Sequence, residues 1–361
     1  MQRSKYHFEP QRGWINDPNG LVFWKGQYHA FFQHNPEDAT PNGKMHWGHA
    51  VSEDLINWEE LPIAIFPNCS YDSNGCWSGS AVVKDDILYL FYTSLREGDS
   101  KQTQSLVISY DGINFSKYEN NPIISDFPID GSNDFRDPKV TLIRDTYYMV
   151  IGSGKDGVGK ILLYKSQNLF NWEYVGVLFS GEEFGNVLEC PDFSKYGDKY
   201  LLIFSQMNKK TATTAFLYGD FDGEQFVPQI IAYPEFGPYF YSPQTFIDNK
   251  NRHLLIGWLS RWDKPISKDA VYNGMLSLPR EIKIKDGKIF SVPVEEALHL
   301  LKTDDHAVNI KNNTILIDVP WEQPLKYVCD EITDIKILRD TKTIEVFINN
   351  GEVVFSCYLE V

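Results

Sequence analysis

Cysteine is scarce and poorly spaced for cross-linking: five occur in 361 residues, at positions 69, 76, 190, 329 and 357, with no CxxC pair among them. An odd count of this kind argues against a disulfide framework or a thiolate zinc site, and it suits reduced thiols in a cytoplasm. No apolar run reaches the roughly 18 residues that a membrane-spanning helix needs. Positive charge is also short. Against 49 Asp and Glu stand 34 Lys and Arg, and the net charge of −15 would repel nucleic-acid phosphates and anionic lipid surfaces. The N-terminus runs from Met1 through Arg3 and Lys5 straight to an acidic motif at Asp17, without the apolar stretch of a signal peptide. A cytoplasmic protein with small neutral partners is expected, unless a signal peptide has been removed.

What is abundant is aromatic: 9 Trp, 20 Tyr and 23 Phe make up 14% of the chain, within a hydrophobic share of 42% that supports a sizeable core. The segments SEDLINW, SYDGINF and SQNLFNW begin at residues 52, 109 and 166, an even spacing of 57, and a fainter copy, GDFDGEQF, follows at 219. Strand–turn–strand patterns at 21–32, 81–92, 139–151, 193–204 and 245–259 make five copies of one unit. Repeats of roughly 40–60 residues built from short strands signal a β-propeller, whose blades bury their faces against one another. The expected fold is all-β, with a five-bladed propeller over 1–291. Residues 292–302 read as a linker with a short helix, and 303–361 as a shortened β-sandwich-like module of 59 residues with a two-residue hairpin turn at Asn350 and Gly351.

Three acidic motifs stand out against this frame: WINDPNG at 14–20, FRDP at 135–138 and ECPD at 189–192. Asp17 and Asp137 directly precede a proline and Glu189 stands two residues before one, which favours an extended or turn backbone that aims the carboxylate. Propeller strands radiate from a central channel, so these motifs can meet at one end of it. Glycosidic bond cleavage needs such a group: a carboxylic acid to protonate the leaving oxygen and a carboxylate to meet the oxocarbenium-like carbon.

With FFQHNP (31–36), HWGHAVSEDLINW (46–58), GCWSGSAV (75–82) and LSLPRE (276–281), the three motifs resemble glycoside hydrolase family 32, the β-fructofuranosidases. The resemblance implies a five-bladed propeller with a C-terminal sandwich and a retaining, cofactor-free release of fructose from sucrose or short fructo-oligosaccharides. Sucrose 6-phosphate hydrolysis and fructosyl transfer are alternatives that use the same residues; a catalytically inactive carbohydrate-binding propeller is a further one, against which the three intact carboxylates count. It implies Asp17 as nucleophile, Glu189 as general acid and base, and Asp137 as stabiliser of the transition state. Asn16, Gln33, Trp77, Ser78, Arg136, Tyr241 and Trp258 would line the sugar pocket. Partial burial beside Val187 and Leu188 is expected to raise the pKa of Glu189. His46 and His49 have no third ligand at a suitable spacing and are read as structural, so no metal is expected. Many family members carry a sugar-binding tryptophan where this chain has Asn42, a departure that leaves leaving-group affinity and hydrolysis against transfer open; the shortness of the C-terminal module, separately, favours small substrates over polymers.

Overall fold

The computed structural model describes residues 2–98, 101–207, 209–262, 270–319 and 323–359, and among these the chain forms seven antiparallel-rich sheets. The first strand of the first blade, β1 (Gly13–Trp24), is followed outward by β2 (Gln27–Asn35), β3 (His46–Ser52) and β4 (Glu59–Ile65). The second blade holds β5 (Gly75–Lys84), β6 (Ile87–Leu95), β7 (Gln102–Ser109) and β8 (Ser116–Lys117). The third holds β9 (Phe135–Ile143), β10 (Thr146–Lys155), β11 (Val158–Ser166) and β12 (Glu173–Gly181). The fourth holds β13 (Leu188–Tyr196), β14 (Lys199–Gln206), β15 (Thr214–Phe221) and β16 (Phe226–Ala232). The fifth starts with β17 (Phe240–Ile247) and β18 (His253–Leu259). A short strand β19 (Tyr272–Asn273) crosses back to pair in parallel with β1, and so joins the last blade to the first. The last blade then continues through β20 (Met275–Leu276), β21 (Arg280–Lys285) and β22 (Lys288–Pro293).

The repeat seen in the sequence is the turn between the third and fourth strands of a blade. In SEDLINW the Ser52 hydroxyl accepts from the amide of Leu55 (2.9 Å), and Asp54 accepts from those of Ile56 (2.9 Å) and Asn57 (2.7 Å). Ser166 and Asn168 repeat the pattern in the third blade, Ser109 and Asp111 in the second. Each turn passes through a left-handed residue at its fourth position, Leu55, Gly112 or Leu169. Polar side chains that satisfy the amides of so tight a turn are what fix its sequence.

Beyond the fifth blade a short 3-10 helix, Glu295–Leu300, leads into two three-stranded sheets: β23 (Val308–Lys311), β24 (Thr314–Ile317) and β25 (Leu325–Val328), then β26 (Ile335–Arg339), β27 (Thr343–Ile348) and β28 (Val353–Tyr358). The turn between the last two strands is not the expected two-residue one. Ile348 pairs with Val353, leaving four residues, with Asn349, Asn350 and Gly351 all left-handed. The Asn349 side chain accepts from the Thr333 amide (2.8 Å) and donates to the Glu331 carbonyl (2.8 Å), which draws it out of the strand and widens the loop.

These sheets share their core with the propeller. Ile315, Ile337, Val346 and Phe355 pack in one cluster with Leu201, Phe216 and Leu255 of the fourth and fifth blades, while Leu338 and Phe347 pack with Phe32 and Ala50 of the first. A buried charged network crosses the same seam. Arg280 bonds to Glu235 and to Glu345 (2.6 Å), and the His7 ring bridges Asp340 (2.8 Å) and Glu345 (2.7 Å). Burial alone would push His7 down, but its two carboxylate partners outweigh this and raise it to about 9 from 6.5, while Glu345 is held down to about 2 despite burial, by Arg280 and His7. A raised histidine contributes stability that is complete below its unfolded pKa and lost as pH rises through the folded one. Between pH 6.5 and 9 the protein is therefore expected to lose roughly 3 kcal/mol from this residue, read as a falling thermal midpoint. His7→Gln should be less stable at pH 6.5 and lack that slope; an unchanged slope would remove His7 as its cause.

Candidate active site

At one end of the channel a cavity of about 440 Å3 opens between the blades, and Asp17, Asp137 and Glu189 all line it. They arrive on the first strands of the first, third and fourth blades, each at a break in strand register. The same break occurs at Trp77/Gly79 in the second blade and Tyr241/Gln244 in the fifth, so all five innermost strands bulge at the same level. Bulges re-aim side chains, and proline is tolerated at them because the ladder is already interrupted there. Pro18, Pro138, Pro191 and Pro243 all stand at these bulges.

Asp17 is nine-tenths buried. Its Oδ2 accepts from Ser78 Oγ (2.6 Å) and Cys190 Sγ (3.5 Å), and its Oδ1 has no hydrogen-bond partner among the described residues. Burial raises its pKa; the Ser78 hydroxyl opposes this and the charge of Glu189 adds to it. Asp137 takes a left-handed backbone (φ 65°), held by the bond from its amide to Thr93 Oγ1 (2.9 Å). Its Oδ2 accepts from the Cys190 amide (2.9 Å) and thiol (3.4 Å), so one thiol touches both aspartates. Burial pushes Asp137 up to about 7, with Arg136 opposing and the two other carboxylates reinforcing.

Glu189 is not set in the apolar surroundings that its neighbours Val187 and Leu188 suggest. Arg136 donates to its Oε1 through Nε (3.1 Å) and Nη2 (2.8 Å), and Tyr241 donates to its Oε2 (2.5 Å). Arg136 also pairs with Asp134 (2.6 Å). Burial would lower the pKa of Arg136, but Glu189, Asp137 and Asp134 together raise it, so the guanidinium stays charged.

Asn16, Gln33, Trp77, Ser78 and Arg136 line the cavity as well. Asn16 Oδ1 accepts from Trp14 Nε1 (2.8 Å), and Gln33 Nε2 donates to the Cys76 carbonyl (2.9 Å), which fixes the orientation of both amides. Tyr241 reaches the site through Glu189, but Trp258 does not belong to the lining. It is fully buried on the second strand of the last blade, edge-on to Trp14 and Tyr241 and behind the wall. Trp262, absent from the sequence reading, faces the cavity instead and stacks on Trp14 (5.7 Å between centroids). Asn74, Gln102, Asp134 and Met207 also line it without having been singled out. Ser242, whose Oγ lies 3.2 Å from Cys190 Sγ, was missed although Tyr241–Pro243 repeats the X–Pro signal of the three acidic motifs. Where many family members have a tryptophan, Pro41, Gly43 and Met45 face the cavity beside Asn42. His49 pairs with His29 (3.0 Å) and stacks on Phe31, while His46 faces the Lys44 carbonyl (2.9 Å).

The model of the glycosyl hydrolases family 32 N-terminal domain matches residues 7–293, every blade included. The chain belongs to glycosyl hydrolase family 32. Among curated family 32 relatives, a sucrose-6-phosphate hydrolase of Escherichia coli is 32% identical over 97% of this chain and 88% of its own length. One of Zymomonas mobilis is 36% identical over 81% of this chain, which spans only 62% of that relative. A solved family 32 β-fructofuranosidase of Bombyx mori superposes with a TM-score of 0.87 at 30% identity, over 99% of this chain and 89% of its own. The five-bladed propeller with a β-sandwich is the architecture of this family. Among the described residues no helix is long and apolar enough to cross a membrane.

Proposed function

We propose that this chain is a retaining glycoside hydrolase that releases β-D-fructose from sucrose or short fructo-oligosaccharides. The observation that carries the reading is the convergence of Asp17, Asp137 and Glu189, from three blades, on one cavity of small-sugar size. Asp17 is the nucleophile. Ser78 and Cys190 hold its Oδ2, which leaves the unpartnered Oδ1 to attack the anomeric carbon. As that C–O bond forms, the glycosidic C–O bond breaks, and Glu189 passes its proton to the departing oxygen. The Glu189 carboxylate then takes a proton from water, the water oxygen attacks the same carbon, and the ester to Asp17 breaks. Asp137 faces the positive charge that develops on the ring in both steps, and Arg136 and Tyr241 orient Glu189.

Three carboxyl groups in one cavity share their protons, so a pH–rate profile reports the group and not its members singly. Since burial raises both Asp17 and Asp137, kcat/KM is expected to be bell-shaped with an acidic optimum. A rate constant flat from about pH 4 to 9 would contradict the pairing of an ionised nucleophile with a protonated acid.

Sucrose 6-phosphate is the second reading, favoured by the names of the bacterial relatives. Against it, the described lining offers one cation, Arg136, whose guanidinium is already engaged by Asp134 and Glu189. Comparing kcat/KM for sucrose, 1-kestose, sucrose 6-phosphate and high-molecular-weight inulin tests the substrate class. Sucrose or 1-kestose is expected to lead; fastest cleavage of the polymer would overturn the reading of a small-sugar site.

A further inference from the structure

The last residue of ECPD takes no part in the chemistry above, yet its carboxylate is bonded from two neighbouring blades. Asp192 is fully buried and outside the lining. Its Oδ2 accepts from the Thr245 amide (2.7 Å) and from Lys139 Nζ (2.7 Å), and its Oδ1 accepts from Thr245 Oγ1 (2.5 Å). Lys139 completes the knot by donating to the Thr245 carbonyl. Three blades meet here. Lys139 stands two residues after Asp137 on β9, Asp192 three after Glu189 on β13, and Thr245 four after Tyr241 on β17. In β13 and β17 the bulge lies between the site residue and the knot, and in β9 Asp137 stands within the bulge that ends at Lys139, so the tie clamps each strand at the far end of the irregularity that aims the site side chain.

A buried Lys–Asp pair is weak evidence for stability, since desolvating both charges offsets their attraction and apolar side chains of like volume would often do as well. What such a pair adds is direction. Charge-assisted bonds at these lengths leave little freedom in the relative heights of the three strands, and a catalytic constellation depends on its spacing to within a fraction of an ångström.

We propose that Asp192 is a positioning residue of this active site, setting through Lys139 and Thr245 the spacing of Asp137, Glu189 and Tyr241 around the sugar. The inference rests on the hydrolase reading above. None of the three knot residues touches the cavity, so the expected signature is a fall in kcat with sugar affinity kept.

The test uses the full-length protein on sucrose, with kcat, KM and thermal midpoint measured together. Asp192→Asn, which removes the charge and keeps the shape, is expected to lower kcat about 10²-fold with KM within about threefold, as a misplacement on the order of an ångström does. Thr245→Val removes one bond of the knot without burying a new charge and should lower kcat by about tenfold, while Thr245→Ser, which keeps the hydroxyl, should restore it. A merely structural knot would lower the midpoint and leave kcat per folded molecule intact. Wild-type-like kcat in folded Asp192→Asn, or Thr245→Val indistinguishable from Thr245→Ser, overturns the inference; should Asp192→Asn fail to fold, the threonine pair decides alone. Wild-type protein that frees no fructose from any fructoside sinks the hydrolase reading itself, and that outcome is visible before any variant is compared.

Discussion

Asp17→Asn is expected to lower kcat on sucrose by roughly four orders of magnitude while leaving the protein folded, because it removes the attacking oxygen and almost nothing else. The amide has the shape of the carboxylate, and its oxygen can still accept from Ser78. Stability should hold or rise. Burial raises the pKa of Asp17, and a carboxyl raised above its unfolded value is one whose ionisation opposes folding at neutral pH. A neutral side chain in its place relieves that opposition, a familiar exchange of activity for stability at a site that gathers like charges. Turnover by fructose release, with the thermal midpoint at pH 7, checks both halves. Turnover within about tenfold of wild type would remove Asp17 from the nucleophile's role.

Glu189→Gln should cost about 10²- to 10⁴-fold on sucrose, the range for losing a general acid, and the loss should depend on the leaving group. Glucose cannot depart as an alkoxide, whereas a nitrophenolate can, so the formation of the fructosyl-enzyme from an aryl fructoside should suffer far less. Single-turnover measurement of phenolate release isolates that step. The glutamine keeps an oxygen to accept from Arg136 and turns an NH2 toward the Tyr241 hydroxyl, which can accept from it, so the pocket wall is expected to stay in place. An equal loss on sucrose and on the aryl fructoside would show that Glu189 does not supply the proton.

The sequence made the propeller legible because the first three blades close on the same locally satisfied turn: Ser52, Ser109 and Ser166 each cap one, and local hydrogen bonds leave a regular signature. The acidic residues were legible for a related reason. Proline beside a polar residue on an otherwise apolar strand marks a bulge, and the bulges of four of the five inner strands place residues in one cavity. What escaped depends on contacts between blades. The family resemblance places Trp258 in the sugar pocket, but it lies one strand out from the innermost strand of its blade and packs on Trp14. The partner of Glu189 could not be read from Val187 and Leu188, since Arg136 reaches it from the next blade. Asp192 looks like an extra acid in a motif until Lys139 and Thr245 are brought against it. The core shared by the C-terminal sheets and three blades was likewise hidden, because it joins residues as distant as Phe32 and Phe347.

The retaining reaction passes through a covalent bond between fructose and Asp17. Glu189→Gln protein, mixed with an aryl β-fructofuranoside, should accumulate that ester, since the phenolate leaves without an acid and the missing base slows its hydrolysis. Rapid quenching, proteolysis and mass spectrometry then locate the label. One fructosyl unit on the peptide containing Asp17 is the predicted result; a label on Asp137, or product of inverted configuration with no labelled peptide, would contradict it.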